Sequence, residues 1–390
     1  MALRQMEPER EVARQRAIEA LDILDQPRDE RVDRVTRLAQ QLFDVPMVSV
    51  TLLDNDRQWR LSEQGFGGER EAPREGSFCG AAVASADLLV VEDAAIDEDF
   101  LSSPFVTGDP HLRFYAGQPL EAPGGEQIGT LCIIDTKPRR LDADQEELLR
   151  EMALWVQTEI AREHEYDRAT AVQRALLPQA APRLPGYTFA ADAAASGEVM
   201  GDIYDWYLHD GGVRIALADV MGKGIGAGLI AAAARASLRT APERPMLAAV
   251  EELDEQISAD LGELNMFVTA FVAEVEASTG VVRFVDAGHS LAFVVRVDGS
   301  WEPLRSTGLP LGMGVDEPRA EGQVTLGRGD ALLVCSDGIL DVLDSEDPSG
   351  QVTRALRDGG PAGAVAEGIR LARDRKAPDD VTLMVVLRDA

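Results

Sequence analysis

The sequence predicts an α+β protein of two domains joined by a long helix. Three observations carry that expectation. Short strand-like runs alternate with helical segments over residues 1–160. Residues 142–177 contain neither Gly nor Pro and carry an apolar stripe at helical spacing. From Leu184 onward, longer strand runs bracket a pair of helices. At 390 residues the chain exceeds the size at which one hydrophobic core stops growing, and a hydrophobic content of 45% can fill two.

Taken in order, Ile18, Leu21, Leu24, Val32, Val35 and Leu38 recur at helical spacing and predict two helices with a break near Pro27. Met47 to Asp54 reads as a strand, Asn55-Asp56 as a turn, and Gln58 to Leu61 as the returning strand. Leu88 to Asp93, Phe114 to Leu120 and Ile128 to Asp135 supply three more strands, which completes a compact α+β domain over residues 1–160. The connecting helix over 142–177 carries Leu148, Leu149, Met152, Trp155, Val156, Ile160, Val172, Leu176 and Leu177, and it stops at Pro178. Its centre, Arg162 to Arg168, is charged, a pattern that suits a linker or a helix paired with its own copy. The remaining strands fall at 187–191, 212–219, 266–277, 281–287, 292–297, 331–336 and 381–387, with helices at 227–238 and 246–261. This predicts two sheets packed face to face with helices outside over residues 178–390.

A net charge of -30 argues against a nucleic-acid or anionic membrane surface, since either would need clustered Lys and Arg. Only Cys79, Cys132 and Cys335 are present, which argues against a disulfide framework and for a reducing cytoplasm. Residues 1–7 are charged and lack a leader's apolar core, and the apolar run at 224–234 is too short to span a bilayer.

Four acidic residues stand at strand ends or beside glycine: Asp202 after Gly201, Asp219 before Val220-Met221-Gly222, Asp337 before Gly338, and Asp379 before Asp380-Val381. Carboxylates so placed can converge, and an all-oxygen cluster suits Mg²⁺ or Mn²⁺. One Asp beside Gly is ordinary turn chemistry. Four in this order, together with Gln173 to Pro178, Leu184-Pro185-Gly186, Phe267-Val268-Thr269, Ala287-Gly288-His289, Leu309-Pro310-Leu311-Gly312 and Ser336-Asp337-Gly338, resemble the metal-dependent type 2C protein phosphatases, in their bacterial SpoIIE/RsbU-like branch.

That resemblance implies an α-β-β-α sandwich and two Mn²⁺ or Mg²⁺ ions. Asp219 would bridge them, with Asp202 and the Val220 carbonyl on one and Asp337 and Asp379 on the other; Asp202 and Asp219 would carry the chemistry. It further implies hydrolysis of phosphoserine or phosphothreonine by metal-activated water, with an anti-sigma-factor antagonist as the substrate protein. Asp380 stays open as an alternative ligand to Asp379. Met200 stands where the family usually has a glycine, and Lys223 where it usually has a histidine. His289 could donate a proton to the leaving oxygen; its place between two strands favours a turn-fixing role.

The first domain resembles GAF sensory domains through Leu21 to Asp25, Arg31 to Ala39, Asp56 to Trp59, Ser77-Phe78-Cys79, Arg113 to Gly117 and Ile128 to Asp135. The match identifies no ligand. Cys79, Trp59 and Tyr115 read as packing residues, His111 as a possible ligand contact, and no cofactor is assigned there. The helix over 142–177, dimerised with its twin, would carry a signal from this domain to the metal site. The alternative function is a non-catalytic adaptor that keeps the phosphatase fold to bind a partner. A metal-dependent nucleotide cyclase, suggested by Gly201-Asp202, leaves Ser336-Asp337-Gly338 and Asp379-Asp380 unexplained.

Overall fold

The structure is a computed structural model that describes residues 6–197, 199–209, 211–240, 244–264, 266–315 and 318–390. Residues 1–5, part of the segment read as no leader, lie outside the described residues. Among the described residues no helix is long and apolar enough to cross a membrane. The chain divides into two compact units, Met1–Glu165 and Tyr166–Ala390.

In the first unit, α1 (Pro8–Leu21) starts on a proline that needs no amide partner and ends where Asp22 turns left-handed at φ 51°. The Asp29 carboxylate caps α2 (Glu30–Phe43) by accepting from the Arg31 amide. The break read at Pro27 lies between these two helices. Then follow β1 (Met47–Leu53), β2 (Arg57–Gln64), β3 (Glu71–Pro73), α3 (Phe78–Ser85), β4 (Leu89–Val91), α4 (Pro104–Thr107), β5 (Phe114–Glu121) and β6 (Gln127–Asp135). The six strands form one antiparallel sheet in the order β3-β2-β1-β6-β5-β4.

Strand alternation decides which side chains meet which layer. Val48, Val50 and Leu52 of β1 face α1, α2 and the start of α5 (Ala143–Leu176), where Ile18, Val35, Ala39, Leu149, Met152 and Val156 complete a core. The opposite face carries Ser49 and Thr51, both buried, beside a second core in which Phe78, Ala82 and Val83 of α3 pack on Tyr115, Cys132 and Ile134.

The second unit adds β7 (Tyr187–Ala194), β8 (Asp202–His209), β9 (Gly212–Val220), α6 (Ile225–Thr240), α7 (Met246–Leu261), β10 (Val268–Glu276), β11 (Val281–Ala287), β12 (Ala292–Val295), β13 (Trp301–Pro303), β14 (Gly322–Thr325), β15 (Ala331–Cys335), α8 (Pro348–Arg375) and β16 (Val381–Arg388). Two five-stranded antiparallel sheets result, ordered β14-β11-β10-β9-β8 and β13-β12-β15-β16-β7. Their inner faces share one core. Ile215, Leu217, Phe271 and Phe284 come from the first sheet, and Val294, Leu332, Val334, Met384 and Val386 from the second. The outer face of the first sheet is covered by α6 and α7, and that of the second by α8.

The two-sheet expectation is met, and the helices expected at 227–238 and 246–261 are found at 225–240 and 246–261. Strand β8, which carries Asp202, and helix α8 are elements the sequence hides. Pro348, Gly350, Gly359-Gly360-Pro361 and Gly363 all read as loop, yet the chain absorbs them by starting the helix at Pro348 and kinking at Gly360, where φ is 62°. Val365, Ile369 and Ala372 then bury against Leu333, Leu383 and Val385. The result is an α-β-β-α sandwich.

Candidate active site

Asp202 opens β8 and Asp219 stands one residue from the end of β9, and the two are direct cross-strand partners. Asp337 begins a short 3₁₀ turn after β15, and Asp379 lies just before β16, so the second sheet brings two carboxylates to the same end of the sandwich. Asp219 is close enough to Asp337 and Asp379 to feel both charges.

The chain gets there through two glycines. A Cβ on Gly201 would stand 2.9 Å from the Val220 carbonyl oxygen and 3.2 Å from that of Gly222, so only glycine lets β8 begin against the β9 turn. A Cβ on Gly338 would collide with the Asp380 carbonyl at 2.2 Å. Between them Asp380 acts as a cross-brace. Its Oδ2 accepts from the Gly201 amide at 2.7 Å, and its Oδ1 accepts from the Ser196 amide at 2.7 Å and the Ser196 hydroxyl at 3.0 Å. Ser336 ties β15 to β16 by donating to the Asp380 carbonyl at 3.1 Å while accepting from the Thr382 amide at 2.8 Å.

Asp379 sits in different surroundings. It is 49% exposed, and the Lys223 ammonium stands 3.2 Å from its Oδ1. Asp202 is 2% exposed and its Oδ2 has no hydrogen-bond partner. Burial, and next the Asp219 charge, hold Asp202 well above the usual carboxylate range. Burial, followed by Asp337, Asp379 and Asp380, pushes Asp219 up to about 6. Asp337 moves the same way, through burial and then Asp379.

Among the described residues no three His, Cys, Asp or Glu side chains meet closely enough to hold a metal ion as they stand. The donors still fit a hard divalent cation. They are all oxygens, the buried Asp202 Oδ2 lacks any other partner, and the carboxylates raise one another's pKa in the way a cation would relieve.

His289 sits in a tight turn. Gly288 is left-handed at φ 74° against Pro310, and Asp286 Oδ1 accepts from the His289 amide at 2.7 Å. The imidazole is buried, which lowers its pKa to about 4 and leaves it neutral at pH 7. Met200 is buried, and its backbone is held on both sides by Gln173 near the end of α5. Gln173 Nε2 donates to the Met200 carbonyl at 2.7 Å, and its Oε1 accepts from the Met200 amide at 2.9 Å.

Three residues the sequence reading gave no role, Gln173, Ser196 and Ser336, thus hold the site's backbone. Ser336 left a trace, as a polar residue closing an otherwise apolar strand run. Gln173 stood only as the first residue of the motif Gln173 to Pro178, and nothing in the sequence points to its bond with Met200. In the first unit, the guanidinium groups of Arg57 and Arg70 lie 5.2 and 4.3 Å from the Trp59 ring, and His111 is exposed.

Both halves of the chain are similar to known proteins. Residues 209–389 match the family Stage II sporulation protein E (SpoIIE), and residues 27–160 match the GAF domain. The chain is 27% identical over 187 residues to the Phosphoserine phosphatase RsbU of Bacillus subtilis, covering 47% of this chain and 55% of that protein. It is 37% identical over 132 residues to the Cyclic di-GMP phosphodiesterase PA2567 of Pseudomonas aeruginosa, covering 34% of this chain and 22% of that one. The chain therefore spans between about a fifth and just over half of these relatives' lengths. The solved SiaA-PP2C domain of Pseudomonas aeruginosa aligns with 60% of this chain and 99% of its own at 24% identity, with a TM-score of 0.49. Along the chain, a match to the GAF domain is thus followed by a match to the SpoIIE family.

Proposed function

We propose that the second unit is a metal-dependent protein phosphatase that hydrolyses phosphoserine or phosphothreonine on an anti-sigma-factor antagonist. The first unit acts as its sensor. The observation that carries this reading is the gathering of Asp202, Asp219, Asp337 and Asp379 at one end of the sandwich, with Asp202 buried and its Oδ2 unpartnered. The similarity to a phosphoserine phosphatase supports the substrate class.

In this reading Asp219, Asp202, the Val220 carbonyl, Asp337 and Asp379 are the groups that would hold Mn²⁺ or Mg²⁺, with Asp219 common to both ions. Such ions supply an activated water and neutralise phosphoryl oxygens. This reading takes Asp379 rather than Asp380 as the ligand, since both Asp380 oxygens already accept hydrogen bonds from Ser196 and Gly201. The work of Asp380 is to fix the Gly201 backbone so that Asp202 points inward. Lys223 pairs with Asp379, and a bound cation would take its place. Neutral His289 fixes its turn and is not the proton donor.

Control runs through α5. Its first half builds the core of the first unit through Leu149, Met152 and Val156, and Gln173 in its last turns holds Met200, two residues from Asp202. Rotation of this helix would move the Met200-Gly201 backbone and with it the Asp202 carboxylate. Leu154, Trp155 and Val172 are exposed on α5, at 60%, 41% and 62%, and support pairing with a second copy of the helix in a cytoplasmic homodimer.

The test is phosphate release from a phosphoserine protein by the full chain, with Mn²⁺ and with chelator. Release that requires the metal supports the reading. Tight binding of the phosphoprotein without release would favour the adaptor.

A further inference from the structure

The first unit encloses a cavity of about 370 Å³ on the sheet face covered by α3. Two of its three neighbouring sulfur or phenol groups are thiols, Cys79 and Cys132, and both line it together with Tyr115, Ser49, Thr51 and Arg60. We propose that Cys79 and Cys132 are a peroxide-oxidised pair that forms a reversible disulfide inside this cavity. The inference concerns the first unit's chemistry and does not rest on the phosphatase reading.

The two thiols are brought together by separate features of the fold. Cys132 lies in β6 directly opposite Gly117 of β5. Because Gly117 has no side chain, the Tyr115 ring folds over it; a Cβ there would stand 2.1 Å from the Tyr115 hydroxyl. That places the hydroxyl next to Cys132 on the same face, and it donates to the Cys79 sulfur at 3.5 Å. Cys79 comes from the other side, as the second residue of α3, a helix capped by Ser77, whose hydroxyl accepts from the Gly80 amide at 3.0 Å. Both thiols thus line the same cavity beside the Tyr115 hydroxyl, and each influences the other's titration.

The pair is also chemically divided. Cys79 stands at a helix N-terminus, accepts from Tyr115 and shares the cavity with Arg60, all of which favour a thiolate. Contact with Cys132 is the largest influence on Cys79 and pulls its pKa down, while the same contact and burial push Cys132 up. Cys132 keeps its proton and donates to the Ser49 carbonyl at 3.4 Å. Cys79 is therefore the attacking sulfur and Cys132 the resolving one.

The chemistry balances with hydrogen peroxide as the oxidant. The Cys79 thiolate attacks one peroxide oxygen, the O–O bond breaks, and hydroxide leaves to become water, giving a sulfenic acid. The Cys132 thiol then attacks that sulfur, the S–S bond forms and a second water departs. One peroxide is reduced to two waters while two thiols are oxidised to one disulfide.

The test uses the reduced full-length chain with stepwise hydrogen peroxide, followed by thiol alkylation and peptide mass spectrometry without reductant. The expected result is a linked Cys79–Cys132 peptide lighter by two hydrogens and reversed by dithiothreitol, formed while Cys335 is still fully alkylated. Absence of that peptide when Cys335 has reacted would overturn the proposal, as would Cys79 oxidised alone with Cys132 still alkylated. In Cys132→Ser, Cys79 should be trapped by dimedone as the sulfenic acid. In Cys79→Ser, oxidation of Cys132 should slow by roughly tenfold or more. Equal rates would contradict the assigned roles, and the wild-type peptide map decides the bridge even where a variant fails to fold.

Discussion

Replacing Asp219 by Asn should stabilise the metal-free protein at neutral pH, and the size of the effect follows from the carboxylate cluster. Asp219 rises from its ordinary 3.8 to about 6, through burial and then the charges of Asp337, Asp379 and Asp380. A carboxyl with a higher pKa folded than unfolded keeps its proton better in the folded state. Its ionisation therefore costs stability, which is greatest below pH 3.8 and declines as pH rises through about 6. Two pH units correspond to about 3 kcal/mol at about 1.4 kcal/mol each. Because Asp219 is only partly buried, solvent screening reduces this to about 1–2 kcal/mol. For a unit of this size Asp219→Asn should raise Tm by roughly 2–8 °C at pH 7 in chelator, and by less at pH 4. Differential scanning calorimetry at both pH values reads this directly. Added Mn²⁺ should raise the wild-type Tm and leave the variant nearly unmoved. A variant that is less stable than wild type in chelator at pH 7 would refute the reasoning, since it would mean that Asp219 is a satisfied group.

Two neighbouring carboxylates should separate cleanly. Asp380→Ala leaves the Gly201 and Ser196 amides without their acceptor and should cost about 1–3 kcal/mol in denaturant unfolding. Asp379→Ala removes a half-exposed side chain, and should change stability by less than about 1 kcal/mol while weakening Mn²⁺ binding in calorimetric titration. Gln173→Ala breaks both bonds to the Met200 backbone, and should lower phosphate release and Mn²⁺ affinity together while the first unit's thermal transition stays in place. Unchanged Mn²⁺ affinity in Gln173→Ala would remove α5 from the control of the site.

Much of this architecture is legible in the sequence because period and punctuation agree. The break at Pro27 separates α1 from α2, the Gly- and Pro-free stretch at 142–177 becomes α5, and apolar alternation marks most strands. The carboxylates are legible because each stands beside glycine or a strand. What the sequence conceals is long-range. Helix α8 is masked by its own glycines and prolines, which tertiary packing of Val365 and Ile369 overrides. The difference between Asp379 and Asp380 depends on Ser196 and Gly201, nearly two hundred residues away in the chain. Gln173 has meaning only once α5 ends against Met200, and Gly117 only once Tyr115 lies over it.

The central claim is that Asp219 organises a metal site that releases phosphate from a phosphoserine protein. The most direct test compares Mn²⁺-dependent phosphate release by the full chain and by Asp219→Asn, with circular dichroism to establish that both are folded. The account predicts release by the wild type and a loss of at least about a hundredfold in the variant. Equal rates would contradict it.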